Sequence, residues 1–361
     1  MKTLLITLEF PPTHGGVANY YGHLVSNWPI GEDLSILDNN QGELDSKKGF
    51  FSWWLSFGAL GRKLKRSKID YVLVGQILPL GTVAYFLSLF NPIKYAVFLH
   101  GMDLSYALKS PRKKFISHLI LKKSDKIICA NSYVAQKTIE AYPELESKIA
   151  VVNPGVTTNI PIITPSDISD LKLQYNLESQ KIIFTLARLV RRKGIDMTIR
   201  ALEEMTDQEI SNLVYFIAGT GTDEYYLKKM VPERLAQKII FLGSLSENKK
   251  WLWLKLCDIF VMPARDIEGD FEGFGIVYLE ANLSTAPVIA GRAGGVEDAV
   301  SDGYNGLLVD PINIQEIKNA ILKLANDDQL REQLGQQGRE QAITKFDLEK
   351  QAARIVNLIK Q

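Results

Sequence analysis

Two glutamates eight residues apart carry the clearest chemical signal in the chain. The run FEGFGIVYLE (271–280) places Glu272 in a loop, Gly273 and Gly275 after it, and Glu280 two turns into an apolar helix. A helix start offers free backbone N–H groups and the positive end of a dipole, which suits an anion. The glycines let a ligand come close to the backbone. Glu280 can then accept hydrogen bonds from hydroxyls of a ligand lying along the helix. Taken singly, Glu272 reads as a solvated loop acid and Glu280 as a cap or ion-pair partner. The whole pattern favours a site for an anionic, hydroxyl-bearing molecule.

Three further stretches add to it. ARLVRRKG (187–194) follows the apolar run IIFTL and precedes a helical pattern. Cations at the carboxyl end of a strand suit a diphosphate, which Arg188 can grip bidentately and Lys193 can meet as a point charge. Arg191 and Arg192 read as surface cations. FPPTHGGV (10–17) puts Gly15 and Gly16 at a helix start, where a phosphate can enter. HGMD (100–103) leaves His100 at a strand end, as apt for a sugar or catalytic contact as for a structural one. No GxGxxG fingerprint occurs, which argues against a nicotinamide enzyme. The four histidines have no zinc spacing. Asp266, Glu268, Asp270 and Glu272 alternate along one loop and could hold a hard cation.

The elements that position these residues follow a βαβ rhythm. Strand candidates in the first half are TLLITL, YVLVG, YAVFLH, KIICAN and IAVVNPG; in the second they are KIIFTLAR, LVYFIAG, KIIFLG, IFVMPA, PVIAG and GLLVD. The pattern restarts near residue 181, after a Thr-, Pro-, Ser- and Asp-rich stretch, 156–173, that reads as a linker. The expected architecture is α/β: two facing, doubly wound domains whose strand ends border a central cleft. A length of 361 residues suits two cores, and 46% apolar with 23% charged residues is an ordinary globular composition. Cys129 and Cys257 form no metal spacing or disulfide framework, which points to a reducing compartment. The start MKTLLITLEF is too short for a signal peptide and reads as a first strand.

In order along nearly the whole chain, EGFGIVYLE, ARLVRRKG, the early Gly-Gly loop, HGMD and PVIAGRAGGVEDAVSDGYNGLLVDP resemble the retaining GT-B glycosyltransferases of family four, also called glycosyl transferase group 1. EGFGIVYLEA is most similar to the phosphatidylinositol mannosyltransferases and related lipid hexosyltransferases. The resemblance implies a GT-B fold: a Rossmann-like acceptor domain over 1–160, a Rossmann-like nucleotide-sugar domain over 177–345, and a last helix, 346–361, crossing back to the first domain. It implies that Glu272 contacts hydroxyls of the transferred sugar, Glu280 holds the ribose, and Arg188 and Lys193 neutralise the diphosphate. His100 would contact the donor sugar near the reacting carbon. Gly15 and Gly16 would admit donor or acceptor. The backbone at Phe274, Gly275, Ile276 and Val277 would meet the donor, and Gly219, Gly221, Ser244 and Leu245 would border base and phosphates. It implies retention of the anomeric configuration and work without a metal or other cofactor.

Charge is divided unevenly. Residues 1–155 hold 18 Lys and Arg against 12 acids, and 156–361 hold 24 against 29. The basic half contains two amphipathic stretches suited to an anionic bilayer surface. Residues 50–66 carry Phe50, Trp53, Trp54, Phe57, Leu60 and Leu64 at helical spacing, with Arg62, Lys63, Lys65 and Arg66. Residues 109–126 carry Phe115, Ile116, Leu119, Ile120 and Leu121 among Arg112, Lys113, Lys114 and other lysines. Residues 71–90 lack charge but contain Pro79 between glycines, so they read as strand, loop and core helix rather than a span. The reading is a hexosyltransferase using GDP-mannose or UDP-glucose, with a lipid or glycolipid acceptor, no nucleic acid, and a cytoplasmic, peripheral-membrane location. A nucleotide-sugar epimerase on the same fold and a catalytically silent nucleotide-sugar-binding subunit are the alternatives.

Overall fold

Apolar runs too short for helices, most of them β-branched, form two parallel sheets. The structure, a computed structural model, describes residues 1–13, 15–45 and 52–361. The first sheet comprises β1 (Lys2–Ile6), β2 (Asp33–Leu37), β3 (Tyr71–Val74), β4 (Lys94–Leu99), β5 (Lys126–Cys129) and β6 (Ile149–Val151), in the order β2-β1-β3-β4-β5-β6. The second comprises β7 (Lys181–Leu186), β8 (Leu213–Ala218), β9 (Ile239–Gly243), β10 (Ile259–Met262), β11 (Val288–Gly291) and β12 (Gly306–Val309), in the order β12-β11-β10-β7-β8-β9. Every pairing is parallel. Strand order reverses between β1 and β3 in one sheet and between β7 and β10 in the other. Such switch points open a crevice at the carboxyl ends of the strands.

Both faces of each sheet are covered, which is why the central strands are apolar throughout. On β7, Ile182 and Phe184 join Phe216, Trp253 and Tyr278 on one face, while Ile183 joins Tyr215, Ile217 and Val261 on the other. β2 is the strand that the apolar pattern misses. It lies at a sheet edge, reads DLSIL, and has no fully buried residue, so it lacks the periodic signal of a covered strand.

The chain divides into two units, residues 1–155 with 348–361, and residues 156–347. The helix Leu348–Lys360 lies on the first, where Ala352, Ile355 and Ile359 pack with Leu5, Tyr21 and Phe98. The expected linker is part of the second unit. Its Thr-Pro-Ser-Asp composition starts a helix, Pro165–Tyr175, whose Thr164 and Asp167 form a reciprocal capping box. Turn-forming residues and helix-starting residues are the same types, and here the helix uses them.

The N-terminal unit carries α1 (Gly16–Ser26), α2 (Leu55–Ser67), α3 (Thr82–Phe90), α4 (Met102–Leu108) and α5 (Pro111–Lys123). α3 is not wholly a core helix. Val83 and Ala84 are buried, but Phe86, Leu89 and Phe90 face outward. The loop expected before it closes with the Gly81 N–H on the Gln76 carbonyl at 3.1 Å, and Leu78 within it is extended. Trp53 and Trp54 precede α2 in a short turn, and Leu60 points into the core, so the expected stripe is split; Phe50 lies outside the described residues. On α5, Ile120 and Leu121 are buried and Phe115 is exposed. Among the described residues no helix is long and apolar enough to cross a membrane.

Candidate active site

At the switch point of the second sheet, the chain leaving β7 and the chain leaving β10 meet closely. Gly194 sits in the left-handed region at φ 71°, and a Cβ there would lie 2.0 Å from the Pro263 carbonyl oxygen. Arg265 donates its backbone N–H to the Arg192 carbonyl at 2.8 Å, and its guanidinium pairs with buried Asp196 at 2.8 Å. These contacts set the ARLVRRKG turn against the loop that carries Glu272.

Glu272 and Lys193 are both buried, and they are bonded to each other. Arg192 completes the group, reaching Glu272 Oε2 at 2.7 Å through Nη1 and Asp270 at 3.1 Å through Nε. Arg192 is thus a site residue rather than the surface cation that the sequence suggests. Burial alone would raise the Glu272 pKa, but the two cations outweigh it and hold the carboxyl below its ordinary value. For Lys193, which shares its single carboxylate with Arg192, burial wins and the pKa falls. Both cations take Oε2, so Oε1 has no bonded partner among the described residues and can accept from a ligand hydroxyl. Arg188 is exposed, makes no ion pair among the described residues, and is close enough for its charge to lower the Lys193 pKa. Arg191 is likewise exposed and without an ion pair among the described residues, but it lies over the Tyr226 ring, which leaves Arg188 to meet an anion.

The Glu272 loop is buttressed from β11. Gly295 donates its N–H to the Glu272 carbonyl at 2.9 Å, and a Cβ on Gly294 would lie 2.5 Å from that oxygen. The AGGVED stretch therefore acts by holding this loop. Beyond it, Gly275 at φ 81° begins the helix Ile276–Leu283 with no side-chain cap, and a Cβ there would strike the Tyr278 ring at 2.4 Å. Phe274 is buried against Phe346, and Ile276 and Val277 begin the helix, so their amides stand at its positive end.

Glu280 is held by Lys250 at 2.8 Å through Oε1, an anchor from the helix Glu247–Leu256 that the sequence reading misses. Burial would lower the Lys250 pKa, but Glu280 and Glu247, the latter at 2.7 Å, together raise it. Glu280 again keeps one oxygen unbonded among the described residues. The glycines after β8 have a packing reason. A Cβ on Gly219 or Gly221 would lie 1.9 Å from the Ala187 or 2.3 Å from the Leu189 carbonyl oxygen, so both are needed to bring that loop against the Arg188 turn. Ser244 is exposed after β9, and Leu245 packs partly on the core. The alternating acids do not converge on one point. Asp270 and Glu272 bind Arg192, Asp266 accepts from the Gly269 N–H at 2.7 Å, and no metal-holding group of three is found among the described residues.

In the N-terminal unit Gly15 and Gly16 begin α1 with no side-chain cap, and His14 lies outside the described residues. Among the described residues, a Cβ on Gly16 would meet nothing within 4 Å, and one on Gly15 only Glu9 at 3.5 Å, so the packing of those residues does not require these glycines. His100 follows β4 and is neutral, its pKa pushed down to about 4 by burial. Its backbone N–H and that of Gly101 donate to Asp103 Oδ1 at 3.0 and 2.8 Å. Burial raises the Asp103 pKa to about 6, and it raises that of Glu9, in the loop after β1.

Comparison with known proteins agrees with the fold. A family model described as glycosyl transferases group 1 matches residues 168–341, and one described as glycosyltransferase family 4 matches 42–160. The chain is 26% identical to a GDP-mannose-dependent alpha-(1-6)-phosphatidylinositol monomannoside mannosyltransferase of Mycolicibacterium smegmatis, over 99% of this chain and 97% of that protein. It is 26% identical to an uncharacterized glycosyltransferase of Methanocaldococcus jannaschii, over 97% and 95%. Among solved structures, Anabaena HepE in complex with UDP superposes with a TM-score of 0.80 at 20% identity, over 100% of both chains. A glycosyltransferase from Rickettsia africae superposes at 0.81 with 19% identity, over 99% and 98%. The fold is GT-B. With both halves matched in order, and with the paired glutamates and the basic turn gathered at one switch point, the chain belongs to the group 1, family 4 glycosyltransferases.

Proposed function

We propose that this glycosyltransferase moves a hexose from a nucleoside-diphosphate sugar to a lipid-linked acceptor at a membrane surface, retaining the anomeric configuration and using no metal. The observation that carries the donor half is Arg188, a cation without an ion pair among the described residues, beside Lys193 at the switch point of the second sheet. As the glycosidic bond breaks, negative charge grows on the diphosphate, and Arg188, Lys193 and the helix start at Gly275 stabilise it in place of a metal. Glu272 Oε1 accepts from a sugar hydroxyl and the unbonded oxygen of Glu280 from the ribose. The leaving phosphate takes the acceptor's proton. GDP-mannose is the donor favoured by the relatives that match over full length.

The acceptor half rests on the N-terminal unit. Trp54, Leu55, Phe86, Leu89 and Phe90 expose between 45% and 84% of their surface, and Phe57 touches Phe86 at 6.2 Å between ring centroids, which links α2 to α3. Arg62, Lys65 and Arg66 are exposed along α2, and Arg112, Lys114 and Phe115 along α5. An apolar patch flanked by cations fits an anionic lipid surface. The test is incubation of the purified protein with GDP-mannose or UDP-glucose, with and without phosphatidylinositol-type lipids. Mannosyl transfer to lipid from GDP-mannose is the expected result. Isomerised nucleotide sugar without an acceptor, or binding without any product, would overturn it.

A further inference from the structure

The short 3₁₀ turn Arg191–Lys193 has three residues per turn, so its three cations leave in three directions. Arg191 is exposed and lies over the Tyr226 ring, 5.2 Å from its centroid. Lys193 is buried and bonded to Glu272. Arg192 is partly buried and spans two carboxylates, Glu272 at 2.7 Å through Nη1 and Asp270 at 3.1 Å through Nε. Its backbone is fixed as well, because the Arg265 N–H donates to the Arg192 carbonyl at 2.8 Å.

One buried carboxylate needs one cation, and Glu272 has two. Arg192 suffices for it. A guanidinium does not lose its proton and can hold two carboxylates at fixed angles, and Asp270 anchors its other edge. Asp270 is half exposed and is met by water too. Lys193 is then the surplus cation. Its ammonium has three donors, and one of them is used on Glu272. Its pKa is lowered because burial, with Arg192 and Arg188 as like charges, outweighs the attraction of Glu272. The other charged groups nearby do not alter this balance. Asp196 and Arg265 pair with each other at 2.8 Å, and the Tyr278 phenol is kept protonated by burial and by Glu272.

We propose that Arg192 is a positioning residue that neutralises Glu272 and so leaves the charge of Lys193 uncompensated, available to the diphosphate of a nucleotide sugar. The identity of the anion rests on the donor proposed above; the division of charge between Arg192 and Lys193 does not. Arg192 acts through Lys193 and makes no contact with the ligand. Without Arg192, Lys193 is the sole counter-ion of a buried carboxylate, and drawing it toward a second anion would strand Glu272. With Arg192 present, Glu272 keeps its charge and orientation whether or not Lys193 has met the diphosphate.

The experiment is calorimetry of the full chain with GDP and with UDP, beside a pH titration of lysine labelled at the ε-carbon, with the Lys193 signal assigned by its loss in Lys193→Met. Arg192→Met strands no buried charge, since Glu272 keeps Lys193. It should bind nucleoside diphosphate about tenfold more weakly, the order expected for one unit charge beside a partly exposed site. Arg192→Lys keeps the charge and should bind about as wild type does. Arg192→Met combined with Glu272→Gln removes one charge of each sign and should return to about wild-type affinity. Lys193 should titrate below the ordinary 10.5 in wild type and at higher pH in Arg192→Met, where one repelling cation is gone. Undiminished affinity in Arg192→Met overturns the proposal, as does a Lys193 titration that Arg192→Met leaves in place. A combined variant that binds as weakly as Arg192→Met overturns it too, because Arg192 would then touch the phosphates itself. If the combined variant does not fold, Arg192→Lys and the titration still decide. Failure of both diphosphates to bind wild type refutes the donor reading instead, while the titration still settles how the charge is divided.

Discussion

Glu272 holds one buried and one partly buried cation with a single oxygen, and this makes the stability of the site asymmetric. Removing Lys193 leaves Glu272 still bonded to Arg192 at 2.7 Å, so no charge is stranded. Removing the charge of Glu272 leaves Lys193 and Arg192, whose side chains are each 11% exposed, facing one another. Arg192 keeps Asp270 at 3.1 Å, but Lys193 has no second carboxylate among the described residues. An uncompensated buried charge costs about 3–5 kcal/mol, whereas losing one charge-assisted hydrogen bond costs about 1.5–3. Glu272→Gln is therefore expected to destabilise the protein by about 2 kcal/mol more than Lys193→Ala. For a unit of this size that difference is roughly 4–8 °C in melting temperature. The assay is thermal unfolding of both variants at pH 7 with and without 0.5 M salt, which screens buried pairs only weakly. Equal melting temperatures, or a lower one for Lys193→Ala, would refute the claim that Glu272 is the hub. In the double variant Glu272→Gln with Lys193→Met, much of the lost stability should return, because the stranded ammonium is gone.

Arg188→Ala is expected to leave the melting temperature unchanged and to cut turnover about 100-fold, the worth of one donor to a developing anion, which steady-state kinetics will measure. Calorimetry with nucleoside diphosphate alone should give a loss of affinity of tenfold or more for Glu280→Ala, from one hydrogen bond to a charged group, and none for Glu272→Gln. Replacing Arg62, Lys63, Lys65 and Arg66 with Ser should lower sedimentation with anionic vesicles by about 100-fold or more in affinity, at about 1 kcal/mol per cation near the surface; replacing Phe86, Leu89 and Phe90 with Ser should lower it at high salt as well. The pH dependence of stability should carry two opposed slopes. His100, whose pKa burial pushes down to about 4 from an ordinary 6.5, contributes stability that is full above pH 6.5 and lost as the pH falls toward 4. Asp103, raised to about 6 from 3.8, contributes stability that is present below pH 3.8 and lost as the pH rises through 6. Between pH 4 and 6 the two nearly cancel. His100→Asn should therefore lose stability as the pH rises, and Asp103→Asn should lose it more steeply as the pH falls, each by up to about 1.4 kcal/mol per pH unit; parallel curves for wild type and both variants would exclude this.

The sheets are legible because their central strands are covered on both faces. Eleven strand runs stand out as unbroken apolar stretches, and each corresponds to a strand in the structure. β2 is hidden because an edge strand with partial cover needs no such run. The helix Pro165–Tyr175 is hidden for a different reason: its starting signal, Thr-Pro-Ser-Asp, has the composition of a loop until the capping geometry decides. The aromatic stripe over 50–66 shows the limit of helical spacing, since periodicity says which residues share a face but not which face the core takes. Leu60 went inward and Trp54 outward.

The site itself divides along the same line. Residue types that do chemistry by their local setting are visible in one dimension: a glutamate after glycines at a helix start, or cations at the end of a strand. Partners that act across the chain are not. Arg192 reaches Glu272 from 80 residues away, Lys250 reaches Glu280 from 30, and Tyr21 reaches His100 from 79. No spacing rule connects them, because strand order brings them together: β7 beside β10 for the first, and β1, β3 and β4 side by side for the last. The local motif thus names the group that meets the ligand, while the sheet supplies the groups that set its charge and unbonded atom. Where the anchors occupy only one oxygen of a carboxylate, two of them at Glu272 and one at Glu280, the remaining oxygen is oriented before any ligand arrives. Under the proposed function that preorganisation serves hydroxyls of the sugar and ribose, since acceptors already in place need no rearrangement when the donor binds.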